Sequence, residues 1–204
     1  MQSVFPYPRG SPLTDDVAAR LLGLDRLGVG RHGGDDPHTE FWVQSVWRAR
    51  VVPAFDADAY LVGVTAAEPW QPTAHPRPGV LRRVGRLLRG RAGPRPPVVG
   101  WRRALVSLQG ASVVAELAAD PVPAALRGFD LFEPFEFACL DGVGYAVEFE
   151  TWSARGRVEF GNPEAPSHRR LEAALLAVAR SVAAAPGGTG VADYLRVWSR
   201  YAAR

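Results

Sequence analysis

Four side chains suited to binding a divalent cation lie within a short glycine-rich stretch near the N-terminus. The sequence RHGGDDPH holds His32, Asp35, Asp36 and His38, which supply two imidazoles and two carboxylates. Divalent metals accept such ligands, so one functional hypothesis is a metal-dependent enzyme that uses this 32–38 loop. Aspartate and glycine are also ordinary turn residues. We therefore predict a solvated loop here, and no bound metal or other cofactor.

Two neighbouring patterns also have a chemical interpretation, and in each case a structural interpretation is favoured. Gly28, Gly30 and Gly33 have the spacing of a dinucleotide-binding loop. That loop requires a strand before it and a helix after it, whereas the preceding residues here predict a helix. Asp56 and Asp58 form an Asp-x-Asp pair of the kind that holds a metal in sugar-nucleotide enzymes. They are interpreted instead as the solvated start of a strand.

Cys139 is the single cysteine of the chain. It would be a nucleophile if a histidine such as His168 lay beside it. Its alternation with Phe135 and Phe137 favours a buried position on a strand, where cysteine packs as a small apolar residue. One cysteine permits no intrachain disulfide, which fits a reducing compartment. No leader pattern and no apolar run of about 18 residues is present, so we expect a cytoplasmic protein without a transmembrane segment.

The largest charge anomaly is the segment 77–103. All 24 basic side chains of the chain are arginine, a bias that bacterial codon usage can explain, and the net charge is +3. Nine arginines and no acid fall in this segment, and subtracting them leaves −6 for the remainder. Such a charge density predicts binding to nucleic acid or another polyanion, or to a protein partner. The candidate binding side chains are Arg82, Arg83, Arg86, Arg89, Arg91, Arg102 and Arg103.

A second candidate surface is acidic and lies in the C-terminal half. Its carboxylates alternate along predicted strands, which is typical of the solvated side of a sheet. Arg155 and Arg157 are available to pair with some of them. An acidic sheet face of this kind would dock a basic partner. The carboxylates are Glu133, Glu136, Asp141, Glu148, Glu150 and Glu159.

These two surfaces lead to one preferred functional hypothesis. We expect a non-catalytic binding protein that acts through protein–protein contacts, because opposite charge on two regions favours electrostatic docking. A protein partner is therefore predicted. Nucleic-acid or polyanion binding through 77–103 and a metal-dependent enzyme are the alternatives. The sequence predicts neither the identity of the partner nor the oligomeric state.

The elements that must position these residues predict an α+β fold in a single domain, 1–204. Strand patterns come first and helix patterns come last, which favours a mostly antiparallel sheet packed by C-terminal helices. About five to seven strands are expected, including a meander in the C-terminal half. The stretch 68–97, rich in proline, glycine and arginine, is predicted to be an insertion or loop within the domain.

Individual elements follow from periodicity and end signals. A first helix is expected after Thr14, its N-cap, with an apolar stripe at Val17, Leu21 and Leu24. The stretch TEFWVQSVWRARVV predicts a long strand with regular alternation, which would place Val43 and Trp47 on the same face. The stretch ASVVAELAAD fits a strand or a helix. The stretch PFEFACLDGVGYAVEFETWSARGRVEFGNP predicts three antiparallel strands joined by tight turns. Two helices follow, and Ser167 is the expected N-cap of the first.

Overall fold

The structure is a computed structural model that describes residues 13–33, 41–54, 56–67, 99–130, 133, 142–163 and 165–202. The predicted 68–97 insertion and the predicted strand that contains Cys139 lie outside the described residues. The same is true of three of the metal-ligand candidates and five of the candidate arginines. These are Asp35, Asp36, His38, Arg82, Arg83, Arg86, Arg89, Arg91.

The described residues form seven strands and four helices. The strands are β1 (Gly30–His32), β2 (Phe41–Pro53), β3 (Ala59–Ala67), β4 (Val99–Leu108), β5 (Ala111–Glu116), β6 (Val143–Thr151) and β7 (Arg155–Gly161). The helices are α1 (Asp15–Leu22), α2 (Val122–Arg127), α3 (Pro166–Ala183) and α4 (Thr189–Ala202). This composition and order confirm the predicted α+β class, with an antiparallel sheet and helices mostly at the C-terminal end.

The strands form one sheet in the order β5-β4-β3-β2-β6-β7, and β1 pairs with the start of β2. The hairpin between β4 and β5 turns at Gln109 and Gly110, whose φ values of 49° and 88° are those of a tight two-residue turn. The residues of ASVVAELAAD therefore begin with a strand and not a helix. In the C-terminal half, β6 and β7 form the predicted hairpin, and the other edge of β6 pairs with β2.

Each face of the sheet has its own core. The packed face lies against α2, α3 and α4, and buries Trp47, Tyr145 and Leu175 among others. The opposite face is covered in part by α1, over Val43, Val62 and other residues. The predicted regular alternation of β2 is wrong at one point, because the β2–β3 register shifts between Val43 and Ser45. This bulge places Val43 and Trp47 on opposite faces of the sheet.

Helix α1 begins as predicted, and the side chain of Thr14 accepts a hydrogen bond from the backbone N–H of Val17. Its predicted apolar stripe is wrong at Val17 and Leu21, while Leu24, just after the helix, is buried as expected. Val17 and Leu21 are 41% and 44% exposed, whereas Ala18, Ala19 and Leu22 are buried against the sheet. The alanines carry no long side chain, so they allow the helix backbone to lie close to the strands. None of the described helices has both the length and the apolar content needed to span a bilayer.

Helix α3 is capped differently from the prediction. Its N-cap is Ala165, and Ser167 lies inside the first turn with its hydroxyl making no cap. The backbone N–H of Ser167 instead donates to the Glu133 carboxylate at 2.9 Å. A carboxylate from outside the helix therefore satisfies one of the free N–H groups and interacts favourably with the helix dipole.

This cap predicts a pH dependence of stability. The hydrogen bonds from Ser167 lower the pKa of Glu133 below its ordinary value of 4.5. A carboxyl group whose pKa is lower in the folded than in the unfolded chain stabilises the fold at pH values above the unfolded pKa. This contribution is lost as pH falls through the folded pKa. We expect Glu133→Ala to lower the thermal midpoint at pH 7 and to remove part of the acid dependence seen in the unmodified chain. Thermal melts from pH 3 to pH 7 measure this, and superimposable acid profiles would contradict it.

Candidate functional site

A row of alternating charges crosses the face of the sheet opposite α3 and α4. It runs from Asp15 on α1 to Arg48 on β2, Glu148 on β6 and Arg157 on β7. We call these four residues the charge row. Arg48 lies directly opposite Glu148 in the β2–β6 register, and Glu148 lies directly opposite Arg157 in the β6–β7 register. Opposite charges in cross-strand positions attract each other, so the sheet topology itself builds the row.

The arginines of the charge row are held by several acceptors each. Arg48 donates to both carboxylate oxygens of Asp15, at 2.9 and 3.0 Å, and to the carbonyl of Leu27 at 3.1 Å. Arg157 donates to Glu148 at 2.9 Å and to Glu159 at 2.7 Å. Exposed ion pairs contribute at most about 1 kcal/mol each to stability. Their main consequence here is that the charged groups are fixed in position.

A cavity of about 310 Å³ lies beside the charge row, toward the start of β6. In the next cross-strand row, Arg50 faces Ala146 and Ala146 faces Glu159, so a small residue separates two long charged ones. Gly144, two residues before Ala146, also lines the cavity. The absence of long side chains at these two positions creates the depression.

The wall of this cavity on the β2–β3 side is also held in place. Arg50 donates to the Asp58 carboxylate at 2.9 Å and at 2.5 Å, and Asp58 is 7% exposed. The Arg50 guanidinium lies 5.9 Å from the centre of the Tyr60 ring, which is within cation–π range. Asp58 is therefore the buried ion-pair partner of a cavity-wall arginine, and the expected solvated position is wrong for this residue.

A second cavity of about 600 Å³ lies on the other side of the charge row. Leu27, Glu150 and Arg155 are among its lining residues, and both cavities are lined by all four residues of the charge row. We call the two together the trough. Of the six carboxylates of the predicted acidic surface, Glu148, Glu150 and Glu159 lie on a common side of the sheet. Glu133 instead caps α3, and Glu136 and Asp141 lie outside the described residues. Arg155 and Arg157 interleave with the three carboxylates on the sheet, so the described part of this surface carries both signs.

His32, the one metal-ligand candidate among the described residues, is packed inside the fold. Its Nε2–H donates to the carbonyl of Gly28 at 2.8 Å, and Nδ1 contacts the Asp25 carboxylate. The ring is 1% exposed and stacks on Phe41 at 5.7 Å. Within the described ranges, no group of three or more His, Cys, Asp or Glu side chains is arranged to hold a metal. The contacts of His32 support a structural role for it.

Arg102 and Arg103, the two candidate arginines that the structure describes, both make contacts within the fold. Arg103 donates to the carbonyl of Leu22 at the end of α1, at 3.1 Å, and pairs with Glu116 at 3.3 Å. Its guanidinium lies 4.6 Å from the centre of the Trp101 ring. Arg102 donates to the carbonyl of Ala118 at 3.1 Å. These arginines connect β4 to its neighbours, so each has a structural function of its own.

A buried polar cluster lies under α3 on the packed face. Trp198 Nε1 donates to the Tyr145 hydroxyl at 2.8 Å, and that hydroxyl donates to the Glu172 carboxylate. All three side chains are buried. Burial raises the pKa of Glu172 above its ordinary value and also raises that of Tyr145. His168 lies nearby, where its ring stacks on both Phe129 and Phe160, and burial lowers its pKa.

Sequence reasoning missed the trough residues Asp15, Arg48 and Arg50, because it did not predict that β2 lies next to β6. The available signal was the polar alternation of Arg48 and Arg50 on a strand whose other face is apolar. Comparison of the chain with models of known protein families, with curated proteins and with solved structures finds no match. The geometry of the trough is therefore the basis for a functional proposal.

Proposed function

We propose that this chain is a non-catalytic binding protein and that the trough is the surface on which it docks another protein. The observation that carries the proposal is the charge row, in which both signs alternate across four elements and each arginine is held by acceptors of the chain itself. The single cysteine supports a reducing compartment, so the proposal places the protein in the cytoplasm.

The state of the charged side chains supports a docking role. Binding loses affinity when long side chains must be ordered, and this cost is smaller when they are already held. Arg48, with 24% of its side chain exposed, is fixed at three acceptor atoms. Arg157 is 57% exposed and is accessible to a partner. A fixed arrangement of positive and negative side chains favours a partner with the complementary arrangement of charges. It disfavours other proteins, because like charges would then meet in the interface.

Exchanging one charge pair of the row tests the proposal. In Glu148→Arg/Arg157→Glu the two positions keep an ion pair, but the pattern that a partner meets is reversed. We expect the thermal midpoint to fall modestly, because the new arginine faces Arg48 across β2–β6 and the new glutamate lies beside Glu159. Affinity for the partner should fall by about tenfold or more, because like charges then face each other across the interface. Partners are identified by cross-linking in cells, and their affinity is then measured by calorimetry with the purified chain.

The chain offers a matched control for that experiment. Asp193 and Arg196 form an exposed ion pair three residues apart on α4, away from the trough. Exchanging them alters charge by the same amount at another surface, so Asp193→Arg/Arg196→Asp should keep the affinity of the unmodified chain. Equal loss of affinity in the two exchanged variants, or in neither, would contradict docking at the trough.

A second candidate function, polyanion binding through 77–103, is favoured by the nine arginines and the absence of acids in that segment. We expect Arg82→Gln/Arg83→Gln/Arg86→Gln/Arg89→Gln to abolish any salt-dependent binding of labelled nucleic acid without changing the melting curve. Because Arg103 is bonded to Leu22 and Glu116, Arg103→Gln should instead lower the melting temperature. Fluorescence anisotropy across a salt series measures the binding. Nucleic-acid affinity that survives the fourfold substitution would reject this segment as the binding surface.

A further inference from the structure

We infer that the 310 Å³ cavity beside the charge row is an anchor pocket for one aromatic side chain, Trp or Tyr, presented by the protein partner. This inference rests on the proposed function and adds the chemistry of the group that the trough recognises. Its basis is the shape, the charge and the stacking surfaces of the cavity.

The shape of the cavity suits a single inserted side chain. Its floor is formed by Gly144 and Ala146 of β6, while Arg50 and Glu159 stand on the flanking strands in the same cross-strand row as Ala146. Two short residues beside longer ones leave a depression that admits a group from above. The volume of about 310 Å³ lies at the lower end of the range for ligand pockets, roughly 300–1,000 Å³, which fits one side chain better than an extended ligand.

The charge of the cavity favours a neutral occupant. Three arginines and three carboxylates line it, so the lining carries no net charge. A cationic or anionic side chain entering it would lose water and would meet groups of its own sign as well as of the opposite sign. A neutral side chain avoids this loss. The charged lining residues are Asp15, Arg48, Arg50, Glu148, Arg157 and Glu159.

The lining groups favour an aromatic ring over an aliphatic side chain. Guanidinium groups are planar and stack on aromatic faces. Two arginines line the cavity from the strands that flank β6, since Arg50 faces Ala146 from β2 and Arg157 faces Glu148 from β7. The hydroxyl of tyrosine or the indole N–H of tryptophan can donate to the carboxylates of Glu148 and Glu159 at the rim. Tyrosine and tryptophan are also the residues that most often supply the central binding energy of protein interfaces.

The test uses small probes, so it does not require the partner to be known. N-acetyl-tryptophanamide and N-acetyl-tyrosinamide are titrated into the full chain, with N-acetyl-leucinamide and N-acetyl-argininamide for comparison. Methyl NMR signals of Ala146 and Val52, which both line the cavity, report binding. We expect saturable shifts for the two aromatic probes with dissociation constants of roughly a millimolar, and weaker binding for the other two. Equal response to all four probes, or no response, overturns the inference.

Two variants at one position separate the cavity from the rest of the trough. Ala146→Leu fills the depression and leaves the charge row unchanged, whereas Ala146→Ser leaves it open. We expect the aromatic probes to lose their response in the leucine variant and to keep it in the serine variant, with melting curves that show both variants to be folded. Should the leucine variant fail to fold, competition between the aromatic probes and the purified partner for the unmodified chain decides the point. A response that survives Ala146→Leu would place the probe elsewhere and overturn the inference.

The same experiments distinguish this inference from the proposed function and from an occupant within the chain. If a partner no longer binds after Glu148 and Arg157 are exchanged but binds Ala146→Leu normally, the docking function is supported and the aromatic anchor is rejected.

Phe5 and Tyr7 precede Leu13, a lining residue, by only a few positions. Probe binding that is observed only in Phe5→Ser/Tyr7→Ser would assign the cavity to the chain's own segment and overturn its assignment to a partner.

Discussion

Gly63→Ala is expected to lower the free energy of unfolding by about 3 kcal/mol or more, one of the two largest effects that we predict for a single substitution. Gly63 on β3 lies directly opposite Trp47 on β2, and the indole covers the glycine. A Cβ atom at position 63 would lie 2.2 Å from Trp47 Cε2 and 2.3 Å from Cζ2 and Nε1. These distances are far inside van der Waals contact, so the indole or the strand must move.

The indole of Trp47 has little freedom to move. It is 1% exposed, and its Nε1 donates to Asp120 Oδ2 at 2.8 Å. Displacing the ring would break this hydrogen bond and leave Asp120, whose pKa burial already raises, with the backbone N–H of Val122 on its other oxygen and no donor on Oδ2. Gly156→Ala on β7 should lower stability less than Gly63→Ala does. A Cβ at Gly156 would lie 2.6 Å from the ring of Phe149, which is only half-buried and so has more freedom to move.

Urea denaturation of Gly63→Ala measures the loss, and Gly190→Ala is the matched control. No atom lies within 4 Å of the Cβ position of Gly190 in helix α4, so alanine there should be neutral or slightly stabilising. Trp47→Leu/Gly63→Ala should recover part of the stability lost in Gly63→Ala, because the smaller side chain relieves the contact. A Gly63→Ala midpoint equal to that of the unmodified chain would show that the indole does not cover position 63.

The fold class was predictable because its signals are local. Thr14 before Asp15 and the alternation in β6 and β7 each depend on a few neighbouring residues. The bulge between Val43 and Ser45 was not predictable in this way. Around Val43 and Ser45, both possible alternation registers contain apolar residues, so the local sequence does not select which register faces the packed side. That choice depends on the residues that α1 and α3 place against each face of the sheet.

The trough was not predictable because its parts come together only through strand order. Arg48 and Glu148 are cross-strand neighbours although 100 positions separate them in the chain. Sequence patterns predict strands and faces, but pairing across that separation depends on the whole sheet. The Glu133 cap of α3 was missed for the same reason. Serine is a usual N-cap residue. The backbone N–H of Ser167 nevertheless donates to the carboxylate of Glu133, which lies more than 30 positions away in the chain.

The buried cluster beneath α3 predicts the second large effect. Tyr145→Phe removes the hydroxyl that accepts from Trp198 and donates to Glu172. Both partners would remain buried, at 1% and 5% exposure, without the group that satisfies them. A buried polar group left without a partner costs about 1–3 kcal/mol, so the two together should lower the free energy of unfolding by about 2–6 kcal/mol.

Glu172→Gln is the control, since it keeps an oxygen that can accept from the Tyr145 hydroxyl while removing the carboxylic acid. Burial raises the pKa of Glu172 above its ordinary value of 4.5, so the folded state holds this proton to a higher pH than the unfolded chain does. The contribution to stability is therefore fully present below pH 4.5 and falls as pH rises through the folded pKa. We expect Glu172→Gln to lack this fall and to be at least as stable as the unmodified chain at pH 8.

Urea midpoints of the two variants, measured from pH 4 to pH 8, test the cluster as a unit. Tyr145→Phe should be less stable than Glu172→Gln at every pH, and the difference should widen as pH rises, because an ionised carboxylate needs the missing donor more than a neutral carboxyl group does. Tyr145→Phe/Glu172→Leu should recover part of the loss, because the apolar side chain no longer requires a partner. If the phenylalanine variant matched the unmodified chain across this range, the hydroxyl would not be satisfying Trp198 and Glu172, and their burial would have to be explained by packing alone.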